Sequence, residues 1–218
     1  MDILITGTSD GIGRATAEYF LERGHSVVGF DRKPPALVHP NYRHEILDIC
    51  DADAYPEDVH PEILINNAGV QDSGRDIEIN LIGTIRITEK YAIANPRIRA
   101  VVMVGSASAH TGSEFPEYAA SKGGLLTYTK NAALRLAPRA VCNSIDPGGV
   151  LTDLNRPVME DPELWDQIMA LTPLRRWATP EEIAEWIYFV GVRNRFMTGQ
   201  NLLIDGGEAG DAHFVWKD

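Results

Sequence analysis

Short apolar runs alternate with longer amphipathic stretches along the whole chain. Seven runs have the length of single strands: DILIT (2–6), SVVGFD (26–31), RHEILDI (43–49), EILINNAG (62–69), RAVVMVGS (99–106), AVCNSIDPGG (140–149) and NLLIDGG (201–207). Most are continuously apolar rather than alternating, which is typical of strands covered on both faces. The pattern therefore predicts a parallel sheet of about seven strands.

Helical patterns separate these runs. They are GIGRATAEYFLERG (11–24), a stretch from about 76 to 94, a stretch from about 116 to 137, and PEEIAEWIYFVG (180–191). Strands that alternate with helices predict an α/β fold, doubly wound, with helices on both faces of the sheet. The right-handed rule for parallel crossovers then limits the possible topologies.

Two segments depart from this alternation. DADAYPEDVHP (51–61) contains two prolines and predicts a loop or one helical turn between the third and fourth strands. Residues 152–177 contain three prolines and predict an excursion from the sheet with a short amphipathic helix. We expect residues 1–218 to form one domain, since nothing resembles a linker or a repeat.

The bulk composition excludes several classes of function. A formal charge of −11 disfavours nucleic acid and anionic membranes as partners. Cys50 and Cys142 have no metal-type spacing, and the six histidines show no HExxH pairing, so no metal site is expected. No targeting or membrane-spanning segment is visible, and we expect a cytoplasmic protein with reduced thiols and scattered loop histidines.

A glycine-rich turn follows the first strand. TGTSDGIG leads directly from the strand into the first helix, where glycines permit close approach of a diphosphate to the helix N-terminus. Asp31 ends the second strand, eighteen residues beyond Gly13, where a dinucleotide fold places its ribose-binding acid. Asp31, with Asp10 in the loop, favours NAD over NADP, whereas Arg32 and Lys33 are candidates to bind a phosphate.

Tyr118 and Lys122 stand four positions apart in EYAASKGG (117–124). On a helix both side chains lie on one face, one turn apart. A neighbouring ammonium favours the phenolate and lowers the pKa of the phenol towards neutral pH. The pair therefore indicates a general acid/base for alcohol or carbonyl chemistry, although the same spacing also occurs on ordinary helix surfaces.

The ordered set of motifs resembles the short-chain dehydrogenase/reductase family, of the type with a single Rossmann domain. TGTSDGIG resembles its TGxxxGxG loop, NNAG (66–69) the end of its fourth strand, and YAASK (118–122) its YxxxK motif. DPGGVLT (146–152) resembles its PG motif, and TGQNLLIDGG (198–207) its last strand. The resemblance covers residues 3 to about 207.

The resemblance implies catalytic roles for four residues. Tyr118 is the general acid/base, Lys122 lowers its pKa and holds the nicotinamide ribose, and Asn80 holds a water for proton relay. Ser106 binds the substrate oxygen; Ser108 competes for this role, but Ser106 directly follows VVMVG. The implied cofactor-binding residues are Gly7, Ser9, Gly11, Ile12, Gly13, Asp31, Asp48, Asn67, Gly69, Tyr118, Lys122, Pro147, Val150 and Thr152.

The implied function is hydride transfer between NAD(H) and a secondary alcohol or ketone. Two alternatives stay open: an NADPH-dependent reductase of 3-oxoacyl thioesters on acyl carrier protein, and a non-catalytic module that senses the dinucleotide. Family members commonly pair through the two long helices, so we expect a homodimer or homotetramer. We also expect residues 152–177 to form a lid over an apolar substrate, with permanent packing on the sheet as the alternative.

Two further side-chain assignments concern loops and the C-terminus. His110 is interpreted as a loop histidine, with substrate contact as the alternative. Phe214 and Trp216 of the tail 208–218 are expected to pack on the core or on a neighbouring subunit.

Overall fold

The computed structural model describes residues 1–113 and 115–210. Its seven strands form one parallel sheet in the order β3-β2-β1-β4-β5-β6-β7, which confirms the predicted fold class. The strands are β1 (Asp2–Thr6), β2 (Ser26–Asp31), β3 (Tyr42–Ile46), β4 (Ile63–Asn66), β5 (Ala100–Val104), β6 (Val141–Pro147) and β7 (Asn201–Ile204).

Helices fill the connections as the sequence pattern predicts. They are α1 (Gly11–Glu22), α2 (Thr84–Thr88), α3 (Ser108–Thr111), α4 (Pro116–Leu136), α5 (Arg156–Met159), α6 (Pro162–Leu171) and α7 (Pro180–Tyr188). Helix α2 continues on both sides as π-helical turns, Ile77–Gly83 and Glu89–Ile93, and α7 continues as the π-helical turn Phe189–Arg193. The helical stretch expected at 76–94 is therefore present, but it is wider than an α-helix over most of its length.

Alternation along the central strands divides the core into two layers. On β1, Leu4 packs in the layer under α2 and α4, whereas Ile3 and Ile5 pack in the layer under α1 and α7. Phe20 of α1 and Ile183 of α7 are fully buried in that second layer. Both faces of the sheet are thus covered, which explains why the strands read as continuous apolar runs.

The strand order reverses between β1 and β4. β1 pairs with β2 on one side and with β4 on the other, so the chain leaves these two strands in opposite directions. The carboxyl ends of the two strands consequently border a crevice that no crossover connection covers. Ligands of doubly wound sheets bind at such a reversal point. The loops after β1 and β4 border this crevice.

The short connection between β3 and β4 contains only the 3₁₀ turn Ala52–Ala54. Tyr55 follows this turn and packs on Tyr91, whose ring in turn meets Phe30 of β2 edge to face at 5.5 Å. Tyr55 donates a hydrogen bond to the Ile49 carbonyl. Three aromatic rings thus bury the part of the sheet that a crossover helix would otherwise cover.

We expected the histidines to be exposed to solvent or to lie in loops, but the side chain of His25 is buried. It lies in the turn before β2 with only 8% of its surface exposed, and it packs against Phe20 and Tyr188. Burial lowers its pKa below 6.5. Phe20 of α1 and Tyr188 of α7 create this environment, and neither of them is adjacent to His25 in the sequence.

Residues 152–177 form the predicted excursion. A 3₁₀ turn (Asp153–Asn155), α5 and α6 follow one another, and Asp161 caps α6 by accepting hydrogen bonds from the Glu163 and Leu164 amides. None of the residues of α5 or α6 is fully buried. Trp165 of α6 meets Trp177 edge to face at 5.0 Å.

The assignments for Phe214 and Trp216 lie outside the described residues. Within the described part of the chain, no helix combines the length and the apolarity needed to span a membrane.

Candidate active site

The loop after β1 has a backbone that only glycine fits comfortably. Gly7 and Gly11 have φ angles of +76° and +52°. A Cβ atom on Gly13 would lie 1.9 Å from the carbonyl oxygen of Gly7. Asn67, after β4, clamps the same loop by donating from Nδ2 to the carbonyl oxygens of Thr6 and Gly7 at 3.0 and 3.1 Å. The motifs after β1 and β4 thus form one tightly packed unit at the reversal point.

The N-terminus of α1 suits a diphosphate. The first turn of α1 contains no acidic residue, and Asp10 at the N-cap makes no side-chain capping hydrogen bond. Thr152, after β6, lies against Gly11, since its Cγ2 would be 3.4 Å from a Cβ there. The helix dipole and the amides of Ile12 and Gly13 therefore offer a cradle for an anionic group, as a nicotinamide dinucleotide requires.

Asp31 is held in place by the backbone around it. Its two carboxylate oxygens accept hydrogen bonds from the Ser9 and Lys33 amides, both at 2.9 Å. Ser9 in turn donates from its hydroxyl to the Pro34 carbonyl at 3.0 Å. The carboxylate is thereby fixed at the end of β2, beside the glycine loop.

The nearby basic side chains are already paired. Lys33 Nζ lies 2.5 Å from Asp10, so the charge that Asp10 was expected to add is compensated. Arg32 Nε lies 3.7 Å from Asp48, whose other oxygen accepts from the Cys50 amide. Of the three acidic residues near the glycine loop, Asp10 and Asp48 form ion pairs. Asp31 forms none within the described part of the chain.

Lys122 lies inside the protein. Only 5% of its surface is exposed, and its Nζ donates to the carbonyl oxygen of Val104 at the end of β5 at 2.9 Å. Burial lowers its pKa to about 8, against the opposing effect of two carboxylates, Asp146 and Asp76. Lys122 is consequently protonated at neutral pH and releases its proton in the mildly alkaline range.

Tyr118 lies one turn before Lys122 on α4, as the spacing predicts. The Lys122 ammonium is 5.8 Å from the centre of the half-buried phenol ring. Ser121, which precedes Lys122, donates a hydrogen bond from its hydroxyl to the backbone carbonyl of Tyr118 at 2.7 Å. The 21-residue helix α4 thus carries both groups on one rigid face.

Asn80 anchors the neighbouring loop. Its side chain accepts from the Val70 amide at 2.8 Å and donates to the Val70 carbonyl and to the Ser121 hydroxyl. It is fully buried in the π-helical turn before α2, and its Oδ1 would be 3.1 Å from a Cβ on Gly69. A side chain on Gly69 would therefore crowd Asn80 and lie in ordinary contact with Lys122. The water-holding role of Asn80 stays a prediction.

Both candidate serines lie at the end of β5. Ser106 and Ser108 are buried, with their hydroxyl oxygens 3.3 Å apart, and the Ser108 amide donates to the Ser106 hydroxyl. Pro147 ends β6 beside them and accepts from the Ala107 amide at 2.7 Å. The substrate-binding role of Ser106 stays a prediction, with Ser108 as the alternative.

The PG motif (146–152) continues the chain from the end of β6. The buried Val150 accepts hydrogen bonds at its carbonyl from the Thr152 amide and the Asn155 side chain. The structure therefore brings the predicted cofactor residues together along one edge, which runs from β2 through β1 and β4 to β6.

Sequence reasoning missed three polar residues around Lys122 and assigned a fourth, His110, to a loop, whereas it lies on α3. Ser121 bridges Asn80 and Tyr118, Asp76 and Asp146 act on the lysine, and His110 lies 2.7 Å from Asp146. Asp146 is the one charged residue of β6, and this was the available signal for it. The other three have no local signature. Within residues 1–113 and 115–210, no three acidic, histidine or cysteine side chains cluster as metal ligands would.

Comparison with known proteins agrees with this architecture. Residues 61–208 match a family model described as enoyl-(acyl carrier protein) reductase. The chain is 28% identical to L-rhamnose 1-dehydrogenase (NAD(P)(+)) of Azotobacter vinelandii, over 94% of the chain and 95% of that protein. It is 29% identical to a 3-oxoacyl-(acyl-carrier-protein) reductase of Vibrio harveyi, with coverage of 94% and 95%.

A solved structure agrees equally well. It is 4-hydroxyisoleucine dehydrogenase complexed with NADH, with a TM-score of 0.89 and 27% identity, over 97% of the chain and 99% of that protein.

Replacing Gly13 by alanine tests the cradle. The added methyl group collides with the Gly7 carbonyl and with Asn67, so we expect a loss of about 1–3 kcal/mol of unfolding free energy. The dissociation constant for the dinucleotide should rise at least ~10-fold, since 1.4 kcal/mol corresponds to a factor of ten. Gly191→Ala is the control, because its Cβ would make only ordinary contacts of 3.4 Å, with Ile63 and Val102 in the core. Thermal unfolding and fluorescence titration with NADH check both variants, and unchanged NADH affinity in Gly13→Ala would contradict the assignment.

Proposed function

The chain belongs to the short-chain dehydrogenase/reductase family, and we propose that this oxidoreductase transfers a hydride between NAD(H) and a secondary alcohol or ketone. The observation that carries the proposal is the pairing of Tyr118 with the buried Lys122 on one face of α4. A phenol held beside a buried ammonium is suited to exchange a proton with a hydroxyl or carbonyl oxygen.

The proton transfer follows from the ionisation of the pair. In the oxidative direction, the Tyr118 phenolate accepts the hydroxyl proton of the alcohol. In the reductive direction, the Tyr118 hydroxyl donates that proton to the carbonyl oxygen. Lys122 favours the phenolate as long as it is protonated, which holds below a pH of about 8. The nicotinamide cofactor supplies the hydride acceptor or donor when it is bound.

The surrounding groups orient these two residues. Asn80 and Ser121 fix the start of α4 to the loop after β4, and the Val104 carbonyl fixes the lysine. Ser106 supplies a hydroxyl at the end of β5 for the substrate oxygen. A hydrogen bond aimed at an oxygen that gains negative charge stabilises it without reorganisation.

Asp31 supports NAD as the preferred cofactor. Its carboxylate is fixed next to the glycine loop, where it suits ribose hydroxyls and repels a 2′-phosphate. Lys33 and Arg32 would first have to leave Asp10 and Asp48 to bind that phosphate. The names of relatives include both NADH and NAD(P)(+), and they therefore leave the choice of cofactor open. The support for NAD comes from the contacts of Asp31, Lys33 and Arg32 in this chain.

Reduction of 3-oxoacyl thioesters is the second candidate. The observation in its favour is the 29% identity to a reductase of that name over almost the whole chain. The fixed, uncompensated carboxylate of Asp31 counts against the NADPH-dependent form of that activity. We therefore rank it below the alcohol dehydrogenase.

A homodimer or homotetramer is part of the proposal. Leu134 of α4 is 80% exposed, and Ile77 and Ile82 of the preceding π-helical turn are more than a third exposed. These apolar side chains lie on the two long helical segments through which we expect subunits to pair.

Residues 152–177 act as the lid in this proposal. Leu154, Leu171 and Leu174 are each more than half exposed, so the segment has little apolar contact with the sheet. Segments with few buried contacts open at low free-energy cost. The segment starts beside the glycine loop at Thr152, and closure would exclude water from the reacting groups.

Tyr118→Phe tests the acid/base assignment. The variant keeps the ring and loses only the hydroxyl, so it should fold and bind NADH as the parent does. Turnover should fall by about 10²–10⁴-fold, the usual contribution of one acid–base group. Steady-state assays over a panel of secondary alcohols and ketones provide the measurement. Tyr128→Phe is the control, since Tyr128 lies nearly three turns further along α4 and donates a hydrogen bond to Glu89. Retention of most activity in Tyr118→Phe would refute the assignment.

Asp31→Asn tests the cofactor preference. The amide removes the charge and keeps one of the two acceptors that bind the Ser9 and Lys33 amides, so NADH should bind more weakly and NADPH more tightly than in the parent. The parent should prefer NADH by at least ~10-fold, because a misplaced buried polar contact costs about 1–3 kcal/mol. Fluorescence titration of both reduced cofactors gives the four constants. Equal or tighter NADPH binding by the parent would show that Lys33 or Arg32 outweighs the carboxylate.

Hydrogen exchange tests the lid. Amides of α5 and α6 should exchange rapidly in the free protein and slow down when NADH and a substrate analogue are bound. The amides of α4, packed on the sheet, serve as the internal reference. If residues 152–177 are equally protected in both states, the segment is permanently packed and there is no lid.

A further inference from the structure

A carboxylate is buried at the end of β6, beside the catalytic lysine. Asp146 has no exposed side-chain surface. Val104, whose carbonyl binds Lys122 Nζ, pairs with Ile145 across the sheet, so Asp146 is the next residue beyond that contact. Burying a carboxylate is costly unless a counter-charge or hydrogen bonds compensate it.

The space for this carboxylate is provided by Gly105. A Cβ atom on Gly105 would lie only 2.0 Å from Asp146 Oδ1. The φ angle of Gly105 is not positive, so its backbone does not require glycine. The missing side chain therefore serves to admit the carboxylate at the end of β5.

The two carboxylate oxygens of Asp146 differ in their contacts. Oδ2 lies 2.7 Å from Nε2 of His110, which carries the proton of this hydrogen bond when Asp146 is ionised. Oδ1 is buried and has no hydrogen-bond partner in the described part of the chain. The His110 side chain is 28% exposed, so the imidazole connects the buried carboxylate with solvent.

The charged and titratable groups around Lys122 come from four segments. Asp146 lies on β6, His110 on α3, Tyr118 on α4, and Asp76 precedes the π-helical turn at 77–83. Asp76 is committed elsewhere, because its oxygens accept hydrogen bonds from the Asp72 and Ser73 amides and from the Ser73 hydroxyl. Asp146 is the carboxylate whose Oδ1 accepts no hydrogen bond in the described part of the chain. Burial raises its pKa, and the His110 and Ser144 side chains and the Lys122 charge oppose that rise and favour the ionised form.

We propose that Asp146 is a positioning residue whose carboxylate, held by His110 in the space beside Gly105, keeps Lys122 protonated while the enzyme turns over. Asp146 does not touch substrate or cofactor in this role; it acts through the lysine. Burial alone favours loss of the lysine proton, and the buried negative charge opposes that loss. The catalytic consequence rests on the proposed function of Tyr118, whereas the effect on Lys122 does not.

The test follows the lysine directly. In protein labelled with ¹³C at lysine Cε, the shift of the Lys122 signal reports its protonation, and Lys122→Arg assigns the signal among the five lysines of the chain. The parent should titrate near a pH of about 8. In Asp146→Asn the midpoint should fall by about one unit or more, as expected for removal of a close opposite charge. An unchanged midpoint in the folded variant would overturn the proposal.

A second variant and a control cover other outcomes. His110→Phe leaves the carboxylate without its imidazole, so protonation of Asp146 becomes easier and the Lys122 midpoint should move in the same direction. This variant decides the question if Asp146→Asn does not fold. Asp205→Asn removes a carboxylate beyond the neighbouring strand β7, where it accepts from the Gly207 and Ala209 amides, and should leave the midpoint unchanged. A fall in thermal stability with no change in any midpoint would show a purely structural role.

The turnover assay provides the catalytic readout. In Asp146→Asn, the rate relative to the parent should fall as the pH rises through the two midpoints, stay low above them, and recover at lower pH, where Lys122 is protonated in both proteins. A loss by the same factor at every pH would contradict the proposal. If neither protein turns over any substrate while the lysine midpoint still moves, the proposed function fails and the role of Asp146 stands.

Discussion

The ammonium of Lys122, buried against the end of β5, is the interaction on which the rest of the site depends. Desolvation of an ammonium is tolerated only where a carbonyl or a carboxylate replaces the lost water. The Val104 carbonyl provides this contact, and it is available because β5 ends there, with its next hydrogen bonds made by Gly105 and Ala107 to β6. The lysine therefore fixes α4 to the sheet, and Tyr118 is positioned with it.

The other half of the site follows from the order of the strands. Because the winding reverses between β1 and β4, the loops after these strands meet without an intervening crossover. Asn67 uses this proximity to clamp the glycine loop, and the loop in turn presents the N-terminus of α1. The strand order and the buried lysine together place the N-terminus of α1 and the Tyr118–Lys122 pair at one edge of the sheet.

The sequence predicted local features well and long-range pairs poorly. All seven strands and the four-residue spacing of Tyr118 and Lys122 depend on local periodicity, so they could be read directly. The pairing of Lys33 with Asp10 joins residues 23 positions apart, and that of His110 with Asp146 joins residues 36 positions apart. Such contacts arise from the tertiary arrangement of strand ends, which no local pattern encodes. The burial of His25 by aromatic residues of α1 and α7 has the same cause.

The physical contrast between the two sides of the site explains why motifs identify the reaction and not the substrate. On the sheet side, Asn80, Ser106 and Lys122 are buried, and each forms hydrogen bonds to the backbone or to a neighbouring serine. Their side chains are therefore constrained by these contacts. On the opposite side, α5 and α6 contain no fully buried residue, and their apolar side chains are free to change without disturbing the core. Substitutions there cost little stability, whereas substitutions on the sheet side break several contacts at once. If residues 152–177 cover the substrate as proposed, substrate preference depends on the part of the chain that packing constrains least.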